Sequence, residues 1–368
     1  MIKLALIDNG IPYHMRNNRN QRIVHKSFLA SKCDPSEYKD DKSFHGAVCV
    51  GIITSICSDI ELWDLNVTDS AGTTQITVLL EALEWCIQNK IKLIHMSLGT
   101  INYFDIKPLW IQIKRLLDAD AIIVAAYHNR NIKTYPAAYP AAYPGVFGVR
   151  QDRYGLLGNG QILFQEQKGY NIENSIIANF SWNGIVNQAN SYAAPVVTGH
   201  IATYLNRKPT AGFDDVMDFL MTIATHKSDY PDILENVIRD KTNIEIPVIA
   251  GIDLDYEEMI QLKVMFSQNG YYAINLQKNP LDENVIPLEY YDDSNESLND
   301  ILYTVYIAYE PDIILLNQEE EIFESSKASD IDMYIVRKNN MYELYAEDRI
   351  GITYNIEDIY ELVCQYFA

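Results

Sequence analysis

"TTQITVLLEALEWCIQNKIKLIHMSLG", residues 73–99, decides the fold class. Its first two thirds space apolar side chains as one face of a helix requires. Its last third, "IKLIHMSLG", is a short apolar run closing on small residues, the signature of a buried strand. The same rhythm runs outward in both directions. Upstream lie "IKLALID" (2–8, strand), "HGAVCVGIITSIC" (45–57, a small-residue helix) and "IELWDLNV" (60–67, strand). Downstream lie "KPLWIQIKRLLDAD" (107–120, helix) and "AIIVAAYHN" (121–129, buried strand). Alternation of this kind predicts an α/β fold with a mostly parallel sheet and helices on both faces. Sheets of that type carry their sites at the C-terminal ends of strands. Asp8, Ser97–Gly99 and Asn129 are the residues expected there.

Further along, "TYPAAYPAAYPGVFGV" (134–149) holds a tandem YPAA too short for a repeat architecture. Its prolines predict an extended or turning surface segment. Residues 154–189 read as short strands, "ANSYAAPVVTGHIATYLNRKP" (189–209) as a long helix, and "FDDVMDFLMTIA" (213–224) as another. After residue 245 the pattern restarts with "EIPVIAGI", "DYEEMIQLKVMFSQNG", "YYAINLQ", "LNDILYTVYIAYE" and "PDIILLN". A hairpin turning at Asn339–Asn340 and a final helix over 355–367 complete it. Two domains are expected: 1–245, and a smaller α/β domain over 246–368.

Charge divides the chain at the same place. Residues 251–368 carry 25 acidic and 6 basic side chains, the remainder 25 and 23. So acidic a protein offers no cationic surface for DNA or RNA. It suits a cationic peptide or protein partner, or serves solubility alone. No apolar run nears the ~20 residues that span a bilayer, so no membrane partner is expected. The five cysteines (Cys33, Cys49, Cys57, Cys86, Cys364) show no metal-ligand spacing. They read as reduced thiols of a cytoplasmic protein, and no metal or cofactor is expected. The segment "VIAGIDLDYEEMIQL…EPDIILLN" lacks the Gly-Lys-Ser/Thr of a phosphate cradle, which argues against ATP.

Three segments carry the chemistry. "LALIDNGI" ends a strand in Asp8, "FHGAVCVGII" opens a helix with His45, and "NSYAAPVVTGH" places Ser191 ahead of Pro195. Pro195 fits the first turn of a helix, so Ser191 would sit where free backbone N–H groups face an anion. A serine hydroxyl needs an adjacent base, and the base needs an acid to fix its tautomer. Each residue alone also has a plain reading. Ser191 could be an N-cap, Asp8 an Asx turn before Asn9–Gly10, His45 a helix-start histidine and Asn129 a turn residue.

Taken together and in order, these motifs resemble the subtilisin-like serine peptidases over roughly residues 1–205. "ALIDNGI" is similar to that family's aspartate motif, and "HGAVCVGII" to its H-G-T-x-V-A-G pattern. "IHMSLGT" is similar to its I-N-M-S-L-G strand, and "NSYAAPVVTG" to its G-T-S-x-A-x-P-x-V-x-G. The resemblance implies Asp8 as orienting acid, His45 as general base and Ser191 as nucleophile. "VAAYHN" is similar to the family's A-A-G-N, which implies Asn129 as side-chain oxyanion donor beside the Ser191 N–H. Ser97, Leu98 and Gly99 would pair with an extended substrate as an added strand.

Several positions depart from the family pattern. Ala189–Asn190 replaces Gly-Thr before the serine, and His95 replaces the Asn before M-S-L-G. Tyr127 and His128 stand where the family has small residues lining its primary specificity pocket. These imply a narrowed or polar pocket and restricted substrate choice. With Asp8 so near the start, no signal peptide or propeptide is expected ahead of it, and no dedicated calcium loop is evident. The implied function is a cytoplasmic serine endopeptidase acting through an acyl-enzyme in limited proteolysis, such as removing the leader of a ribosomally made precursor peptide. The alternative is a weak or inactive peptide-binding protein of the same fold. Residues 246–368 faintly resemble accessory domains of bacterial peptide-maturation systems, which implies recognition of a precursor or partner. The sequence leaves the oligomeric state open.

Overall fold

A computed structural model of the chain describes residues 1–12, 23–29, 45–69, 72–129, 138–165, 175–182, 185–186, 189–226, 244–278, 280, 285–288, 298–309, 311–318, 331–346 and 348–367. The first three residues of the first YPAA repeat (135–137) and Cys33 lie outside these residues. The chain divides into two compact units. One comprises 1–101, 105–131 and 136–237, the other 102–104, 132–135 and 238–368.

The first unit is built on an eight-stranded sheet. Its strands are β1 (Ile2–Asp8), β2 (Ile23–Ser27), β3 (Ile60–Asn66), β4 (Leu93–Met96), β5 (Ile122–Ala126), β6 (Val146–Gln151), β7 (Ile162–Gln165) and β8 (Ser175–Ala178). Their order is β2-β3-β1-β4-β5-β6-β8-β7. Every pairing is parallel except that of β7 with β8. The flanking helices are α1 (His45–Ile56), α2 (Ile76–Gln88), α3 (Tyr103–Asp118), α4 (Asn190–Arg207) and α5 (Phe213–Ile223). A two-residue hairpin, β9 (Ser181–Trp182) with β10 (Ile185–Val186), precedes α4.

Strand order places the site. The chain adds strands on one side of β1 and then, from β4 onward, on the other. The reversal leaves a crevice between the C-terminal ends of β1 and β4, where ligands bind in sheets of this type. Register keeps those ends level: Ile7 pairs with Met96, and Met96 with Ala125. Asp8, Ser97 and the residues after Ala126 therefore leave the sheet on one rim.

Helix α4 runs through the core, with Ala193, Ala194, Val197, Ile201, Ala202 and Leu205 all inaccessible. It can lie against α1 because residue 199 is glycine. A Cβ there would stand 2.8 Å from Ile56 Cβ and 3.2 Å from the Ile53 carbonyl.

Two expectations need correction. Residues 146–151 are not a surface segment. They form β6, with Phe147 and Val149 buried between β5 and β8. The prolines that suggested a turn end at Pro144, and the apolar run behind Gly145 is free to pair. Nor does Pro195 sit in the first turn. The helix starts at Asn190, so Pro195 is its sixth residue. There its missing N–H leaves the carbonyl of Ser191, four residues back, without a helical partner.

The second unit has a seven-stranded sheet, β13-β12-β14-β11-β15-β16-β17. Its strands are β11 (Val248–Ile252), β12 (Ala273–Gln277), β13 (Ile286–Pro287), β14 (Ile313–Gln318), β15 (Met333–Lys338), β16 (Met341–Tyr345) and β17 (Arg349–Thr353). The first five in that order pair in parallel and the last two join as antiparallel hairpins. Helices α6 (Tyr256–Gln268), α7 (Leu298–Tyr309) and α8 (Ile356–Phe367) accompany it. Asp255 and Glu258 close a capping box on α6. Among the described residues no helix is long and apolar enough to cross a membrane.

The α1–α4 contact has a direct test. Gly199→Val forces two branches into Ile53 and Ile56, and overpacking of this kind costs about 1–3 kcal/mol. Urea denaturation should show a lower midpoint with an unchanged slope.

Candidate active site

Asp8 is the last residue of β1 and nearly inaccessible, at 5 % exposure. The backbone N–H of Asn9 donates to its Oδ1 at 2.7 Å. His45 is the first residue of α1, and its Nδ1 lies 3.0 and 2.9 Å from the two Asp8 oxygens. With Nδ1 carrying the proton toward the carboxylate, the neutral ring keeps its lone pair at Nε2. Asn9 sets the ring's origin, because its Oδ1 accepts the Gly46 N–H at 3.0 Å. Only glycine fits at 46, where a Cβ would come 2.9 Å from the Gly10 carbonyl. On its other side the imidazole stacks on Tyr192, with centroids 4.7 Å apart.

Ser191 lies in the first turn of α4, 8 % exposed. The carbonyl that Pro195 orphans is not left bare. Ser97 Oγ donates to it at 2.8 Å, and the Cys49 thiol points at it from 3.7 Å. Behind Ser97 stands His95, wholly buried, with Nε2 2.6 Å from Ser97 Oγ and Nδ1 2.8 Å from Thr198 Oγ1. Burial pushes His95 down to about 3, so the ring is neutral. With Ser97 donating to the Ser191 carbonyl, Nε2–H donates to Ser97, and Nδ1 shares the Thr198 hydroxyl proton with the Ala194 carbonyl, 3.1 Å from that hydroxyl. Sequence reasoning saw His95 only as a departure. Its role becomes visible once β4 and α4 face each other.

Asn190, the other departure, ties the turn before Ser191 to the loop after β5. Its Nδ2 donates to the carbonyls of His128 (2.7 Å) and Tyr127 (3.2 Å), and its Oδ1 accepts the Gln151 N–H at 2.9 Å. In return the Asn190 N–H donates to Asn129 Oδ1 at 2.8 Å. That bond fixes the Asn129 amide and leaves its Nδ2 as the donor available in the cleft.

Ser191, Ser97–Gly99 and Tyr127–Asn129 line one cleft of about 430 Å³. Thr100 and Asp105 complete its wall on the α3 side. The Tyr127 side chain is itself buried, with the Arg150 guanidinium 4.0 Å over its ring. Asp8 and His45 meet as a pair, but among the described residues no hydrogen bond joins His45 to Ser191 Oγ. They are neighbours through Tyr192, which follows Ser191 and stacks on the imidazole, and through Cys49.

Cys49 sits one helical turn after His45. Its Sγ is 3.7 Å from His45 Nδ1, 3.9 Å from Asp8 Oδ2 and 3.5 Å from Ser97 Oγ. Burial raises its pKa, so it is a neutral thiol. The ligand atoms of Asp8, His45 and Cys49 lie within 4.8 Å of one another. A soft cation there would occupy the nitrogen and oxygen that hold the proton. Burial opposes charge on both Asp8 and His45, yet each stabilises the other's ion. Asp8 is held below the usual carboxylate range and His45 above the usual imidazole range.

Comparison with known proteins shows the family to which the chain belongs. The profile of the subtilase family matches residues 1–241. The chain belongs to the subtilase family. The minor extracellular protease Epr of Bacillus subtilis is 30% identical over 149 residues, which is 37% of this chain and 22% of that protein. Subtilisin E of the same organism is 28% identical over 243 residues, 61% of each. The chain thus spans about a fifth of the length of the first relative and under two thirds of the second. Among solved structures, a cold-adapted subtilisin-like serine proteinase aligns with a TM-score of 0.46 at 17% identity, over 62% of this chain and 85% of that one. A lanthipeptide protease aligns at 0.42 and 16%, over 59% and 78%.

The Asp8–His45 pair sets an expected titration. Since the carboxylate favours the imidazolium, neutral His45 should form only above the ordinary 6.5. NMR of the His45 ring should give a midpoint displaced to higher pH, and Asp8→Asn should return it toward or below that value. A wild-type midpoint at or below 6.5 would contradict the pairing.

Proposed function

We propose that this subtilase is a serine endopeptidase that cleaves peptide bonds through an acyl-enzyme at Ser191. The reading rests on one observation: a carboxylate–imidazole pair packs against the start of the helix that carries Ser191, and Ser191 lines a cleft with a strand edge and an oriented amide. In the proposed cycle, the Ser191 Oγ proton passes to His45 Nε2 as the Oγ–carbon bond forms. Asp8 holds the resulting imidazolium in place. Charge developing on the carbonyl oxygen is met by Asn129 Nδ2 and the Ser191 N–H, one of the first-turn amides without a helical acceptor. His45 then gives its proton to the leaving amine as the carbon–nitrogen bond breaks, and water releases the acyl group by the reverse route.

The physiological task proposed is limited proteolysis of a peptide or protein substrate, such as leader removal from a precursor peptide. Two features support it. His128 stands beside the cleft in place of a small residue, whereas the Tyr127 ring is packed in the core and does not narrow it, and the acidic stretch 251–368 suits a cationic precursor. A second reading, a peptide-binding protein of the same fold without turnover, draws on the missing His45–Ser191 hydrogen bond. Catalytic hydrogen bonds are often long before substrate arrives, so that geometry does not exclude the enzyme.

A fluorophosphonate separates the two. The peptidase should be modified stoichiometrically at Ser191, with no modification in Ser191→Ala. His45→Ala should slow labelling by about three orders of magnitude or more. A folded protein that stays unlabelled, or labels elsewhere, would leave the binding reading.

A further inference from the structure

The cleft carries a charge that the proposed chemistry does not use. Asp105, in the first turn of α3, lines it together with Thr100 and Gly99. Among the described residues of the cleft wall Asp105 is the only carboxylate and there is no lysine or arginine. Its Oδ2 accepts a hydrogen bond from Thr100 Oγ1 at 2.9 Å. Its Oδ1 accepts none from the described residues and remains open. The positions one turn along α3 are Pro108 and Leu109, so neither offers it a cation. The carboxylate is also held firmly. Thr100 exchanges both backbone hydrogen bonds with Tyr139, at 2.8 Å each. Tyr139 packs at a tilt against Tyr143, whose hydroxyl donates to the Ile106 carbonyl beside Asp105. Partial burial raises the Asp105 pKa, as expected of an anion short of compensating partners.

A half-buried, rigid and unneutralised carboxylate in a substrate cleft is complementary to a cation. The geometry points to Asp105 as a specificity-determining residue that selects substrates with a lysine or arginine side chain near the scissile bond. The inference rests on the reading of this cleft as the peptide-binding site and adds the substrate class. A strand paired along Ser97–Gly99 carries alternate side chains to the same wall. One of them reaches Asp105 with its aliphatic stem on the cleft floor and its charge on Oδ1. Favourable electrostatics then comes from the substrate, so a neutral or acidic side chain at that position leaves the carboxylate desolvated and unpaired.

The test is a positional-scanning peptide library, read in two ways. Binding is measured on the full chain carrying Ser191→Ala, and cleavage on the unmodified full chain. At one position lysine and arginine should outperform glutamine and norleucine by roughly 10- to 100-fold, the discrimination of one charge-assisted contact. The advantage should shrink with added salt. In Asp105→Asn, with folding checked by its melting temperature, the ratio should collapse to within about threefold. Asp105→Glu should restore part of it. The assignment is overturned if no position favours a basic side chain, or if folded Asp105→Asn keeps the preference. Failure of the peptidase reading looks different: no fluorophosphonate labelling, while arginine-dependent binding to the Ser191→Ala chain still reports on Asp105.

Discussion

The site is organised around the orphaned carbonyl of Ser191. Proline in a helix interior usually costs about 3 kcal/mol, because it deletes one hydrogen bond and crowds the carbonyl four residues back. Here the deleted bond is replaced by one from Ser97, which leaves β4 at the crevice edge. The replacement turns a defect of α4 into a joint between that helix and the sheet. It fixes the height of Ser191 relative to the rim on which Asp8 ends. His95 and Thr198 stiffen the joint, since Ser97 is held from behind while it donates forward. A valine at 97 has no hydroxyl and could keep neither contact.

A second joint makes the first useful. Asn190 reaches across to the carbonyls of Tyr127 and His128 and takes the Gln151 amide, so the helix start is laced to β5 and β6. Its own N–H holds Asn129 by the oxygen. The two joints act on consecutive residues, 190 and 191, and set the spacing between a hydroxyl and an amide that belong to distant parts of the chain. Positioning of this kind matters because a preorganised donor pays no reorganisation cost when charge develops.

Much of this was legible before any coordinates. Parallel strands read as apolar runs, and their ends are marked where apolarity stops, as at Asp8 and Ser97. The helix starting near Ser191 is written in its alanines and glycine, which a buried helix needs for close packing. What was not legible depends on juxtaposition. His95 and Asn190 look like substitutions in a motif until their partners on α4 and β5 are known. Cys49 looks like a core thiol, and only the turn of α1 places it under the Asp8–His45 pair. Strand β2 was missed because "IVHKS" is half-buried throughout and carries no clean alternation. Strand β6 was missed because Pro144 outweighed the apolar run behind it, although a proline before a strand costs the ladder nothing.

Charge balance inside the site follows from the same geometry. Asp8 and Cys49 are buried beside the part-buried His45, and three titratable groups cannot all be charged there. Burial keeps the thiol neutral, and the carboxylate and imidazole can ionise only as a pair. An Asp8–His45 ion pair is neutral overall, so the carboxylate offsets much of the cost of forming the imidazolium. The same pairing would make the ring reluctant to act as a base, since a base must first give up that proton. An extended substrate closing the cleft excludes water and strengthens every interaction within it. The Asp8 carboxylate would then stabilise positive charge on His45 most when the proton arrives from Ser191. The contact that orients the neutral ring before reaction is therefore the one that stabilises the imidazolium once Nε2 has taken the serine proton.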